Sequence, residues 1–271
     1  MPARPGTYDP PMIATAAVPN AFAALVRAAA HWLAGWWRMV HLGAVLLVLA
    51  GSPSSYARDN RRLLLRQLHE STSPHLLGFT VLTTLVSLVL IRIVVVTAVS
   101  YALSQYALEM VVRVLVLELI PLTAALFAAL RCTIPHAAAM AAAWRAPAGD
   151  RADPLRTQVL PRVAAGVFCA LMFAAVSCVV ALVLAYLSVY GFSTSGFAGY
   201  TRTVGHVFDP AISLVFALKI VLFGIAVALV PAAAALDDAR ESRAGAELRG
   251  LVRMFAVILL IEAAALVGSY G

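Results

Sequence analysis

The chain holds 271 residues, 62% of them hydrophobic and only 12% charged, with a mean hydropathy of +0.91. A soluble domain carries about 25% charged residues, so this composition excludes an ordinary soluble fold and indicates an all-α, polytopic membrane protein. The formal charge of +7 comes almost wholly from arginine, because Lys219 is the only lysine; in so apolar a chain the excess suits loops beside anionic headgroups rather than nucleic acid.

Residues 1–20 are proline-bearing and lack apolar periodicity, and read as a disordered cytoplasmic lead. They show no charged start, apolar core and small-residue cleavage site in succession, so no cleaved signal peptide is expected. Residues 21–75 form the next unit. From Ala21 to Gly51 the apolar character is uneven: Trp32, Trp36 and Trp37 cluster, then Arg38 and His41 interrupt. The clean run, Leu42–Ala50, falls short of the about 20 residues a span needs. A helix lying in the interface, anchored by Trp36 and Trp37, is the expectation; a sixth full span is the competing reading. Arg58, Arg61, Arg62 and Arg66 then punctuate Leu63, Leu64, Leu65 and Leu68 as an amphipathic, cationic elbow helix, with Arg61 and Arg62 as its anchors.

Residues 76–271 predict five spans, about 76–103, 107–131, 162–187, 210–231 and 250–268. Ser104-Gln105-Tyr106 makes the first turn. The next connection holds an alanine-rich helix, Ala137–Trp144, followed by Pro147, Gly149, Asp150, Asp153 and Pro154, and 188–209 is a polar loop. Arg131, Arg145, Arg151, Arg156 and Arg162 crowd the second connection, and Arg240, Arg243, Arg249 and Arg253 crowd the fourth. Arg202 stands alone between them. Alternation of basic loops puts the N-terminus in the cytoplasm and the C-terminus outside. Cys132, Cys169 and Cys178 read as small packing residues; Cys169 and Cys178 lie roughly 13 Å apart along one helix, too far for a disulfide.

Arg92, Glu118, Lys219 and Glu262 fall inside the predicted spans. Each lies about 12–16 residues from the basic end of its helix, a spread of roughly 6 Å near mid-bilayer. A charge there costs at least about 2.5–3.5 kcal/mol unless it meets a partner or a wet cavity. Two readings follow: a polar layer lining a cavity that receives a lipid headgroup, or ion pairs that only pin helices together. Folding back at Ser104-Gln105 would bring Arg92 towards Glu118. Glu109 and Arg113, nearer the outer surface, read as snorkelling groups.

The stretch Glu118-Leu119-Ile120-Pro121 through Thr123, Ala124, Ala128 and Arg131 resembles the signature helix of MlaE/YrbE permeases, the membrane subunits of ABC transporters that move lipids between bacterial membranes. Pro161-Arg162 with Ala165-Gly166 resembles the start of that family's third span, and Lys219 with Phe223-Gly224 its fourth. Glu262 stands where the family usually has aspartate. Two positions depart: Leu117 and Ile120 replace the family's usual arginine and glycine. The coupling helix that docks on the ATPase has no good copy; Ala137, Met140, Trp144 and Arg145 occupy its place. The resemblance implies a partner ABC ATPase that holds the ATP, a periplasmic MCE-domain protein, a second permease chain of the same or another kind, a phospholipid cargo, and residence in a bacterial inner membrane.

No catalytic constellation accompanies these features. GxxxxGK[ST] is absent, the six histidines show no metal-ligand spacing, and no cofactor is expected on this chain. The first expectation is a lipid-transporting permease subunit, and the second a pseudo-permease that scaffolds the complex without contacting cargo. An intramembrane enzyme acting on lipids comes third.

Overall fold

The computed structural model describes residues 17–52, 58–103, 106–137, 140, 155–237 and 243–270. Most of the expected lead, the Ser104-Gln105 turn, the Arg61 side chain, Trp144 and Arg145 lie outside the described residues. Every regular element among the described residues is helical: α1 (Ala17–Gly51), α2 (Arg58–Ser100), α3 (Ala107–Val111), α4 (Ile120–Ala128), α5 (Leu160–Tyr190), α6 (Phe197–Val207), α7 (Pro210–Asp237) and α8 (Arg243–Tyr270). The α3–α4 segment is a single span whose coil widens twice to π-helix, at Val112–Leu119 and Ala129–Thr133. A third π turn, Leu155–Val159, leads into α5.

Among the described residues six helices are long and apolar enough to cross a membrane, where the sequence reading counts five. The addition is Trp32–Gly51, whose hydropathy of 1.6 is the lowest of the set because Arg38 and His41 interrupt it. α1 runs unbroken through both, and its start takes in Ala17–Asn20 from the expected lead. Trp36 is half-buried and stacks edge-on with Trp32 at 5.5 Å, whereas Trp37 is exposed. The elbow is likewise no separate helix: α2 carries it straight into the first long span across Pro74. That proline removes only one ladder bond, to the Glu70 carbonyl. Arg62 is exposed on the elbow, and Arg66 Nε meets Glu70 Oε1 at 2.7 Å one turn on.

α2 packs along α5, α5 against α7, and α7 against α8, with the α3–α4 span laid across α5 and α7. In the middle of the bundle Phe79, Phe127 and Phe173 form a ring trio, with centroids 4.5–5.3 Å apart. Small residues let the helices come close enough to gain packing without a hydrophobic drive between them. A Cβ placed on Gly166 of α5 would lie 2.7 Å from Thr133 Cγ2 and 3.0 Å from Ala228 Cβ. One on Gly224 would meet the Val167 carbonyl at 3.4 Å. Cys132 and Cys169, both buried as packing residues should be, are disulfide-paired across this core, while Cys178 is free. α5 stops at Gly191, whose φ of 65° suits a residue without Cβ. Tyr200 then clamps α6 by donating to the Leu182 carbonyl at 2.8 Å, and burial pushes its phenol up to about 12.

One long face stays apolar and uncovered. Leu77, Val81, Leu85, Val89 and Ile93 follow each other one turn apart along α2, all more than half exposed. Such a stripe is stable only against lipid tails or another chain. The close approach at Gly166 generates a direct expectation. Gly166→Leu should lower stability by about 1–3 kcal/mol through overpacking, read as a drop in the detergent-solubilised melting temperature; an unchanged midpoint would show that α5 and α7 are not held at that distance.

Candidate functional site

Three of the four intramembrane charges converge. Lys219, on α7, is 3% exposed, and its Nζ donates to Glu118 Oε2, to Glu262 Oε1 at 2.9 Å and to the Leu117 carbonyl at 3.1 Å. The ammonium has three N–H bonds to give, and each has an acceptor. Phe223, one turn along α7 and itself buried, lies beneath it with its ring centre 6.0 Å from Nζ. The cluster therefore ties the α3–α4 span, α7 and α8 together at one depth.

The backbone of the signature helix is shaped for this. In an α-helix the Leu117 carbonyl would accept from the N–H of residue 121, but residue 121 is proline and has none. Pro121 sits at the start of α4, directly after the π-helical stretch that carries Glu118. The carbonyl it releases is the one Lys219 takes. π-helical turns recur at functional sites; here the wide coil and the proline together present one backbone oxygen and one carboxylate to the same lysine. Glu262 Oε2 is buried and finds no acceptor or donor among the described residues.

Arg92 does not join them. It is exposed on α2 and, among the described residues, sits on the apolar outer stripe rather than in the bundle. Counting residues along a helix gives a height but no azimuth. Among the described residues the void beside Glu118 and Lys219 holds only about 10 Å³, about the least that admits a single water, and neither larger cavity described is lined by these charges. Of the two sequence readings, the single chain supports pinning by the triad. Glu109 and Arg113 pair with each other at 3.2 Å, both a third exposed, as expected near the surface.

The remaining signature residues divide by role. Pro161 is buried at the start of α5, and Arg162 beside it has a buried Nη1 with no hydrogen-bond partner among the described residues. Phe223 and Gly224 are buried in the α5–α7 seam. Arg131 is exposed at the basic end of its span. In the connection, Ala137 and Met140 are buried with Leu46 of α1 and Ala232 of α7, so that surface is turned inward rather than presented to a partner.

A feature missed by the sequence reading is an apolar crevice of about 420 Å³ between α2 and the α3–α4 span. Thr83, Ser87 and Leu90 from α2 and Leu115, Thr123 and Leu130 from the facing span line it. Two of its hydroxyls bond within the protein: Thr123 Oγ1 donates back to the Leu119 carbonyl at 2.9 Å, and Thr83 meets Ser177 at 3.4 Å. With Ser87 as the third hydroxyl, the walls are mostly hydrocarbon. Only the i, i+4 pairing of Thr83 with Ser87 among Phe79, Leu82, Val86 and Leu90 hinted at it.

The family model for Permease MlaE matches residues 64–267, three-quarters of the chain. No curated protein gives a significant match. The chain belongs to the MlaE permease family; it is a permease subunit of an ABC transporter, embedded in a membrane, and not an enzyme.

The triad gives a sharp expectation. Lys219→Met leaves two carboxylates facing each other and should cost about 3–5 kcal/mol, seen as loss of folded, monodisperse protein. Adding Glu118→Gln and Glu262→Gln to that variant should restore most of the yield. Failure of the neutral triple variant to recover would mean that the charges do more than hold the helices.

Proposed function

We propose that this permease moves phospholipid or a similar amphiphile between the inner and outer membranes, as part of an MCE-type transporter. The crevice between α2 and the α3–α4 span supports this most directly. At about 420 Å³ it lies in the range of ligand pockets, about 300–1,000 Å³. Its walls are apolar and it opens at the side of the bundle, which suits an acyl chain entering from the bilayer. The headgroup then lies beyond the triad's reach, and the triad acts by keeping the crevice wall rigid.

Arg92 supports assembly with another chain. An arginine on the uncovered stripe of α2 is costly in hydrocarbon unless it snorkels or meets a polar group. A second permease chain, or a span of an MCE-domain protein, would cover both the stripe and the charge. ATP stays on a partner ATPase, and this chain carries no cofactor. Because Ala137 and Met140 are turned inward, coupling to that ATPase relies on other residues of the 133–158 connection. Residence in a bacterial inner membrane follows from the family, with the arginine-rich loops in the cytoplasm.

The scaffold reading, in which the chain holds the complex without touching cargo, is separable by filling the crevice. Thr123 is exposed at its mouth, so Thr123→Trp should leave folding and co-purification with the ATPase intact. ATP-driven transfer of a fluorescent phospholipid between proteoliposomes should fall at least about tenfold, equivalent to some 1.4 kcal/mol on the barrier. Transfer at the wild-type rate with the crevice filled would favour the scaffold.

A further inference from the structure

The end of the bundle opposite the arginine-rich loops carries several exposed aromatic side chains: Tyr101 after α2, Tyr106 before α3, and Phe192 and Phe197 in the turn from α5 to α6. Phe192 is 94% exposed, more than any other large apolar residue described. The turn that presents it is closely held. The Gly191 N–H donates to the Leu187 carbonyl at 3.0 Å, and Ser193 Oγ donates to the Tyr190 carbonyl at 2.8 Å. The Tyr186 hydroxyl donates to the Ser193 carbonyl. Gly196 lies so near the Tyr190 ring that a Cβ there would collide with it. Behind the turn, the rings of Tyr186 and Tyr200 meet edge to face at 5.1 Å, and Phe197 meets Tyr186 the same way at 6.1 Å. Phe192 is thus kept clear of its own protein by an ordered backbone, and an apolar ring held that way calls for a surrounding other than water.

The level of the turn indicates which surrounding. α5 rises about 42 Å from Arg162 to Tyr190, and α7 rises about 39 Å from Pro210 to Leu236. A bilayer measures about 40–45 Å across its headgroup regions. With Arg162 and Leu236 at the headgroups of one face, the turn reaches those of the other, where aromatic side chains concentrate. The lipid-facing surface of α5 also continues towards it, through the exposed Val179 and Val183. α6 lies between these span ends with Tyr200 and Val207 buried against the bundle. Its exposed Arg202 and His206 are suited to phosphate headgroups.

We propose that the α5–α6 turn is an interfacial anchor, inserting Phe192 and Phe197 among the lipid headgroups of the face opposite the basic loops. α6 lies along that face. The anchor sets the depth of α5, the helix on which both α2 and α7 pack. It stands apart from cargo transport, since neither the crevice nor the triad contributes to it.

Spin labelling of the full chain in phosphatidylcholine liposomes tests this. Phe192→Cys and Phe197→Cys each receive a nitroxide, in a chain whose free thiol is removed by Cys178→Ser. Collisions with oxygen, which partitions into lipid, are compared with collisions with a water-soluble nickel chelate. Oxygen should dominate at both positions. Should the cysteine variants not fold, Phe192→Trp keeps an aromatic ring there. Its added emission should be blue-shifted and quenched by brominated phosphatidylcholine. A nickel-dominated signal at Phe192, or added tryptophan emission that brominated lipid leaves unquenched, would overturn the proposal and make the aromatic tip a surface in water for another protein.

Discussion

An ammonium group held by two carboxylates and a carbonyl inside an apolar bundle governs how three helices can move relative to one another. Lys219 cannot leave Glu118 without stripping a buried charge of its partner, and it cannot leave Glu262 without the same loss. Breaking either contact inside a medium of low polarity costs far more than an exposed pair would. The α3–α4 span, α7 and α8 therefore behave as one body at that depth. Outside it the contacts are dispersive: small residues and aromatic rings that tolerate sliding better than a charge tolerates exposure.

This division places the flexible element. α2 touches the bundle chiefly along α5, with lesser contacts to the α3–α4 span, and carries no charge into the triad; the crevice lies between it and that pinned span. A change in crevice width is thus a movement of α2 against a fixed wall, resisted mainly by the Phe79–Phe127–Phe173 contacts. The uncovered stripe of α2 is on the opposite side, where another chain would bear on it. Leu90 lines the crevice, and Arg92 lies two residues on, about 200° further round the helix. A partner engaging Arg92 would push or pull on the crevice through α2 itself.

Much of this was legible beforehand, and the failures have definite causes. Span lengths and hydropathy gave the long helices, because in lipid only a helix satisfies its own backbone. Counting residues from the basic loops put Glu118, Lys219 and Glu262 at one depth, and they do meet. Arg92 passed the same count and yet faces outward: the count measures height, whereas partnership also needs the rotation of each helix about its axis. Arg38 and His41 lower the hydropathy of α1, which made it read as interfacial, yet the helix is long and apolar enough to cross. The elbow was expected to stand apart from the first span, but Pro74 removes a single hydrogen bond and α2 runs on. The crevice was barely legible. It arises from how two spans diverge, and only the spacing of Thr83 and Ser87 hinted at it.

The signature helix shows why a short motif can carry so much. Glutamate, then proline three residues later, looks like two separate constraints: one charge and one helix breaker. In the folded chain they serve one contact. The proline withholds an N–H from the Leu117 carbonyl, the π-helical coil just before it turns Glu118 to the same side, and Lys219 binds both oxygens. A lysine held only by carboxylates could swing with their side chains; one that also grips a backbone oxygen is fixed to the helix axis. The departures at Leu117 and Ile120 leave this untouched, because the contact uses the carbonyl of residue 117 and not its side chain. Leucine and isoleucine at those two positions are therefore compatible with the pinned geometry.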